Sequence, residues 1–206
     1  MIDIPSQLEA IHREVGKRSV NDSEVIGVLL RRSYPAPIEE VWDALTDPDR
    51  IKRWFFPVSG ELRAGGTFQL EGNAGGDILE CSPPRLLRVT FGGATSLVEL
   101  RLSPAGDNET ILELEHTVPL EMAGSGAGAL YVGPGWDGAF MALGLFLDGV
   151  VSDDPVAAGN SPQGLEFSRQ SVHVWAAVIE SSGTATLNEI AAATEASLAQ
   201  FAPSST

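Results

Sequence analysis

The sequence predicts an α+β fold, a curved antiparallel sheet closed over a long apolar helix, with extra helices following it. Three observations carry this prediction. Residues 58–117 hold short alternating strands separated by Gly, Pro and Asn turns, the pattern of an antiparallel sheet. A compact helix pair, YPAPIEEVWDALTDPDRIKRWFF, stands between a first strand and that run. A long helical stretch, 136–150, follows the last strand and carries few charges, so it reads as buried along most of its length.

The elements follow in order. Residues 2–15 read as a short polar helix with Leu8, Ile11 and Val15 on one face, and Asn21-Asp22 punctuates. Residues 24–32 read as a strand rich in Val, Ile and Leu. In the helix pair, Pro37 suits a helix start because its missing N–H has no helical partner there. Glu39 and Glu40 suit the first turn, where the dipole favours negative charge. Val41, Trp42 and Leu45 form the apolar stripe, and Asp47-Pro48 opens a second short helix over 49–54. Trp42 and Trp54 are expected to anchor this unit.

Five strands follow: 67–71 and 77–81 across a Gly72–Gly76 turn, then 86–91, 97–102 and 110–117. Side chains alternate across a strand. Phe68 and Leu70 therefore share a face, as do Leu87, Val89 and Phe91, then Val98, Leu100 and Leu102, then Leu112, Leu114 and His116. An apolar sheet face needs a cover, and Trp136, Phe140, Leu143 and Leu147 supply a helical stripe for it. The glycine-rich run 124–135 reads as a loop and 152–164 as a polar loop. Two further helices are expected over 165–181 and from Thr186 or Leu187 to Phe201. The second has Leu187, Ile190, Ala191, Thr194, Leu198 and Phe201 at helical spacing. The chain reads as a single domain over 1–206, with a core of about 24–150 and a helical extension of about 163–202.

Composition narrows the function. The chain has 206 residues, 43% hydrophobic and 20% charged, a globular balance. Its net charge of −15, from 28 acids against 13 Lys and Arg, argues against nucleic acid and anionic membranes, which recruit basic patches. A single cysteine, Cys81, excludes a disulfide framework within one chain and reads as a small buried hydrophobe. No leader and no membrane-spanning run is expected, and a cytoplasmic protein is.

Several residues invite a chemical reading. His116 ends an apolar strand face, where it could meet a ligand oxygen or serve as a base; the alternative is a hydrogen-bonded histidine at the sheet edge. His12 and His173 read as helix residues with no Cys/His/Asp cluster at ligand spacing, so no metal site is expected. Glu80 shares a face with Ile78 and is expected to form an ion pair with Arg88 or Arg85 rather than act as an acid. The Gly72–Gly76 and Gly124–Gly135 runs lack the lysine of a nucleotide loop. The first reads as a turn. The second reads as a mobile lip at a cavity mouth, with the start of the helix at Trp136 a seat for a ligand anion.

The segments APIEEVWDALTDPDRIKRWF, LRAGGTFQLEG, GDILECSPPRLLRVTF, LELEHT and GPGWDGAFMAL, in that order over about 24–150, resemble the Aha-type branch of the SRPBCC superfamily. These proteins are similar to the C-terminal domain of the activator of the ninety-kilodalton heat-shock-protein ATPase. They are related in fold to START domains and the birch-pollen allergen. The resemblance implies a helix-grip (START/Bet v-like) fold with a hydrophobic cavity. The sequence after Leu165 resembles a helical extension of some bacterial members. The chaperone-activating members carry an N-terminal domain with no counterpart in this sequence. The family has no universal catalytic motif, so no catalytic residue transfers.

Together these readings favour non-catalytic binding of a small hydrophobic or amphipathic ligand, with no cofactor. Phe68, Leu70, Phe91, Leu100, Leu114, His116, Trp136 and Phe140 are the expected cavity lining. One alternative is a cyclase or dehydratase using the same cavity. The other is a co-chaperone or stress-response module, engaging a homodimer mate or chaperone partner through its acidic surface or C-terminal helices.

Overall fold

The computed structural model describes residues 2–20 and 22–203. Its elements run α1 (Ile4–Glu9), β1 (His12–Val20), β2 (Ser23–Tyr34), α2 (Ile38–Thr46), α3 (Pro48–Ile51), β3 (Val58–Gly60), β4 (Thr67–Leu70), β5 (Gly75–Ser82), β6 (Leu86–Thr90), β7 (Leu97–Gly106) and β8 (Glu109–Pro119). There follow α4 (Leu120–Ala123), a 3-10 helix (Gly126–Tyr131), α5 (Gly133–Leu147), α6 (Pro155–Gly159), α7 (Pro162–Ser182) and α8 (Leu187–Phe201). Among the described residues the strands form an eight-stranded sheet in the order β1-β2-β8-β7-β6-β5-β4-β3. Curved antiparallel strands and C-terminal helices make the α+β, helix-grip architecture that the sequence predicts.

The chain divides into two compact units. The first comprises Met1–Leu30, Thr117–Gly138 and Ala157–Thr206. The second comprises Arg31–His116 and Ala139–Val156.

In the first unit α7 is the central support. Ser161 caps it by accepting from the Gly164 amide, and Gly183 ends it in the left-handed region at φ 67°, the usual role of glycine past a helix end. Phe167, Ser171, Val172, Trp175 and Ile179 are its buried stripe. Helix α8 starts with a full capping box between Thr186 and Glu189, which satisfies two otherwise orphan amides. Its buried residues are Ile190, Ala193 and Ser197, and Ser197 Oγ donates to the Leu130 carbonyl at 2.7 Å. The apolar stripe expected on this helix is thus rotated: Ala191 is exposed and Leu187 is 67% exposed.

Two expectations in this unit are corrected. The N-terminal helix stops at Glu9, and His12–Val20 is a strand. Leu8, Ile11 and Val15 are all buried as expected. However, Val15 shares a strand face with Arg13, with Ile11 just ahead of the strand, and the arginine disguised a period-2 pattern as a helical one. The run 124–135 is not a free lip. Its 3-10 helix buries Ala127, Ala129 and Leu130. A Cβ on Gly133 would lie 2.5 Å from the Trp175 ring, so glycine serves close packing there rather than mobility.

In the second unit the helix pair forms almost as read. Val41, Trp42 and Ala44 are buried on α2. Asp47 ends α2 and caps α3 by accepting from the Asp49 and Arg50 amides. The second helix is shorter than expected, but Trp54 still anchors the pair by donating Nε1–H to the Ala44 carbonyl at 2.9 Å.

The strands pair antiparallel with Val58 opposite Leu70, Phe68 opposite Gly76, Ile78 opposite Val89, and Val89 opposite Val98. Gly75 and Gly76 belong to β5 rather than to the turn. A Cβ on Gly76 would fall 2.0 Å from the Thr90 carbonyl oxygen, so the close approach of β6 requires glycine. A register shift between Ile78 and Glu80 corrects the face assignment of Glu80. An extra residue in one strand moves everything after it to the other face. Cys81, not Glu80, now stands opposite Leu87, while Glu80 is exposed and faces Arg88 across the ladder. The 152–164 segment, expected as a loop, contains the short helix α6.

The part of α5 within this unit docks through its backbone. Tyr34, fully buried on β2, donates its hydroxyl to the Phe140 carbonyl at 2.9 Å, with the two rings 6.4 Å apart. Arg32 Nη1 donates to the same carbonyl at 3.3 Å. Its guanidinium lies where a Cβ on Gly144 would intrude. Arg50 and Arg53 stand over the Phe146 ring at 5.5 and 5.4 Å, a cation–π arrangement that ties the helix pair to α5.

Candidate ligand-binding site

Three of the expected lining residues form one aromatic array in the second unit. Phe68 stacks on Phe91 with centroids 6.3 Å apart and planes 30° apart. Phe91 meets the His116 ring edge-on at 5.9 Å and 74°. Strand alternation puts each ring on the same side: Phe68 from β4, Phe91 just past the end of β6 and His116 from β8. The loop between β6 and β7 supplies a fourth member, Ser96. The Phe91 amide donates to the Ser96 carbonyl at 2.8 Å and the Ser96 amide to Gly93 at 3.2 Å, which closes the loop and points the serine inward. Ser96 Oγ lies 2.8 Å from His116 Nε2, and both residues are buried.

His116 is 3% exposed. Burial lowers its pKa from 6.5 to about 4, because an imidazolium loses its hydration in an apolar setting. The ring is therefore neutral at pH 7. A neutral imidazole has one donor and one acceptor nitrogen, so the serine either donates to Nε2 or accepts from it, according to the tautomer.

Around this group the sheet face is closed in places and accessible in others. Val89 and Val98, opposite one another, are buried, as are Leu70 and Leu114. Leu87 and Leu100, also opposite one another, are half-buried, as are Phe68 and Phe91. Phe140 is buried against Tyr34. Trp136, the remaining expected lining residue, is half-buried in the first unit.

Reasoning from sequence did not find Ser96, which sits in a Gly-Gly-Ala-Thr-Ser turn with no periodic signal. It also missed a buried charge cluster in the first unit. Asp137, on α5, is 0% exposed. Arg13 Nε donates to both of its carboxylate oxygens at 3.0 Å, Ser171 Oγ donates at 2.5 Å and Trp175 Nε1 at 3.0 Å. Arg13 Nη1 also donates to the Leu8 and Ile11 carbonyls at 2.9 and 2.7 Å. Burial raises the Asp137 pKa from 3.8 to about 6, against the opposing pull of Arg13, Ser171 and Trp175. The acid remains largely ionised at pH 7 and ties β1, α5 and α7 together. An aspartate on an otherwise apolar helix was the available signal, and its partner was hidden on a stretch read as a polar helix.

Among the described residues no three His, Cys, Asp or Glu side chains gather as a metal site. No described helix is long and apolar enough to cross a membrane. An open depression of about 510 Å³ lies in the first unit, lined by Ile2, Asp3, Ile4, Pro5, Gln163 and Gln170. Two of its polar groups are already engaged, Gln163 Nε2 with the Ile2 carbonyl and Gln170 Nε2 with Glu166.

A curved sheet carrying an aromatic face, with a long helix docked beside it, defines a helix-grip protein of the START-like class. The chain belongs to the family described as activator of Hsp90 ATPase homolog 1-like protein, whose model matches residues 35–147. It is similar to CalU16 from Micromonospora echinospora in a crystal structure, at 42% identity and TM-score 0.68, covering 82% of this chain and 98% of that one. The solution structure of CalU16 gives 40% identity and TM-score 0.69, covering 84% and 97%. DynU16, a protein of the dynemicin biosynthetic locus, is similar at 25% identity and TM-score 0.52, over 59% of this chain and 47% of that one. No curated protein matches the chain.

Proposed function

We propose that the protein binds a small apolar or amphipathic molecule, without chemistry, on the sheet face that carries Phe68, Phe91 and His116. One observation carries this reading: the two phenyl rings stack on each other yet stay half-buried, while the valine pair beside them is closed. A filled core would bury all of these, so accessible aromatic surface next to closed aliphatic surface is what a ligand would cover. Covering a phenylalanine side chain contributes roughly 1.5–3 kcal/mol. The place of DynU16 in a biosynthetic locus supports a small-molecule ligand. The cyclase or dehydratase reading is less favoured, because a histidine with a pKa of about 4 is a weak proton acceptor at neutral pH.

Titration with an uncharged environment-sensitive fluorophore, N-phenyl-1-naphthylamine, tests the reading. Saturable one-site binding is expected. Phe68→Ala and Phe91→Ala should each weaken it by about tenfold or more, the affinity equivalent of that burial. Affinity unchanged in both variants would reject this face as the site.

A further inference from the structure

We propose that the ligand is an uncharged aromatic molecule bearing a phenolic hydroxyl or a ketone, its ring laid on Phe68 and Phe91 and its oxygen bonded to the Ser96–His116 pair. This inference rests on the binding face proposed above and adds the ligand's chemical class.

Three features argue for it. First, the accessible surface consists of ring faces and edges. Aromatic pairs gain from offset stacking or edge-to-face contact beyond the area they bury, and the Phe68–Phe91–His116 array already alternates a stacked and an edge-on contact. An aromatic ligand extends that array, whereas an aliphatic chain gains burial alone.

Second, the strands that carry and adjoin the trio, β4, β6, β7 and β8, bring no formal charge to this face at neutral pH, and the guanidinium of Arg32 on neighbouring β2 is engaged with the Phe140 carbonyl of α5. The trio's neighbours are aliphatic: Leu70, Val89, Val98 and Leu114 are buried. The charged residues of the same strands, Arg88, Glu99, Arg101, Glu109, Glu113 and Glu115, alternate with them in sequence and so point to the other face. The one imidazole in the array is kept neutral by burial. An ionised ligand group placed beside the trio would lose its hydration and meet no counter-charge from these four strands, a large penalty.

Third, Ser96 and His116 supply one polar point that suits either an O–H or a C=O. If the serine donates to His116 Nε2, its oxygen keeps acceptor capacity for a ligand hydroxyl. If Nε2–H donates to the serine, the serine O–H is left to donate to a ligand ketone. The 2.8 Å contact fits both tautomers.

The test is a series of three probes on the full chain at pH 7: 2-naphthol, naphthalene and 2-naphthoate. The inference expects 2-naphthol to bind at least about tenfold tighter than 2-naphthoate. Ser96→Ala should weaken 2-naphthol about fivefold and leave naphthalene unchanged, the scale of one net neutral hydrogen bond. In the unmutated protein, 2-naphthol and not naphthalene should shift the His116 ring ¹⁵N resonances, so the test stands even where the Ser96 variant fails to fold. Naphthoate binding as tightly as naphthol overturns the inference. So does a naphthol complex indifferent to Ser96 and silent at His116, while naphthalene binding intact would leave the binding face standing. Failure of all three probes to bind would remove the binding face as well.

Discussion

Asp137→Asn is expected to destabilise the unit containing Arg13 and α7 by about 1–3 kcal/mol, the usual consequence of leaving a buried donor without its acceptor. The asparagine is nearly isosteric with Asp137, so packing changes little. It removes the charge that Arg13 meets through two 3.0 Å contacts. It also replaces one acceptor oxygen by an amide facing donors from Arg13, Ser171 or Trp175. For a chain of this size the loss corresponds to a melting temperature lower by roughly 5 °C. Removing both charges should cost less. Buried ion pairs owe much of their apparent worth to the penalty of breaking them, so Arg13→Met/Asp137→Leu is expected to be more stable than Asp137→Asn alone. Urea melts of the three proteins measure this. An Asp137→Asn protein within 1 kcal/mol of the parent would show that the cluster is not the clamp described here.

The second large effect is a pH dependence that belongs to His116. Its folded-state pKa lies near 4, against an ordinary value of 6.5. The native state therefore resists a proton that the unfolded chain accepts. Stability from this group is fully present above pH 6.5 and is lost as pH falls through 4. The shift corresponds to about 3 kcal/mol. Asp137 works in the opposite sense. Its folded pKa is raised to about 6, so its contribution is greatest below pH 3.8 and is lost as pH rises through 6. The parent's pH profile mixes the two, and a comparison with His116→Gln separates them. The stability of the parent minus that of the variant should grow by about 3 kcal/mol between pH 4 and pH 7 in urea melts. A difference that stays flat over that interval would mean that His116 titrates normally and that its surroundings are wetter than described.

Most of the framework was legible because it rests on local signals. The strands of 67–117 were visible from alternation and turn residues, and α8 from the helical spacing of its apolar residues. The misreadings occurred where one residue interrupted a period. Arg13 at an inward strand position made β1 look helical. One extra residue in β5 exchanged Glu80 for Cys81 on the inner face. Glycines such as Gly133, which exist to let Trp175 approach, looked like signs of freedom because composition cannot tell a loose glycine from a tightly packed one. The candidate site was half legible. Alternation placed Phe68, Phe91 and His116 on one face, but the Ser96 contact depends on how a six-residue turn closes, and no periodic pattern reports that.

The central claim is that small-molecule binding occurs on the Phe68–Phe91–His116 face. Intermolecular NOEs between N-phenyl-1-naphthylamine and the protein test it most directly. Cross-peaks from the probe to the rings of Phe68, Phe91 and His116 are the predicted result. Cross-peaks confined to Ile2, Ile4, Pro5 and Gln163, around the open depression of the first unit, would place the ligand elsewhere and contradict the account.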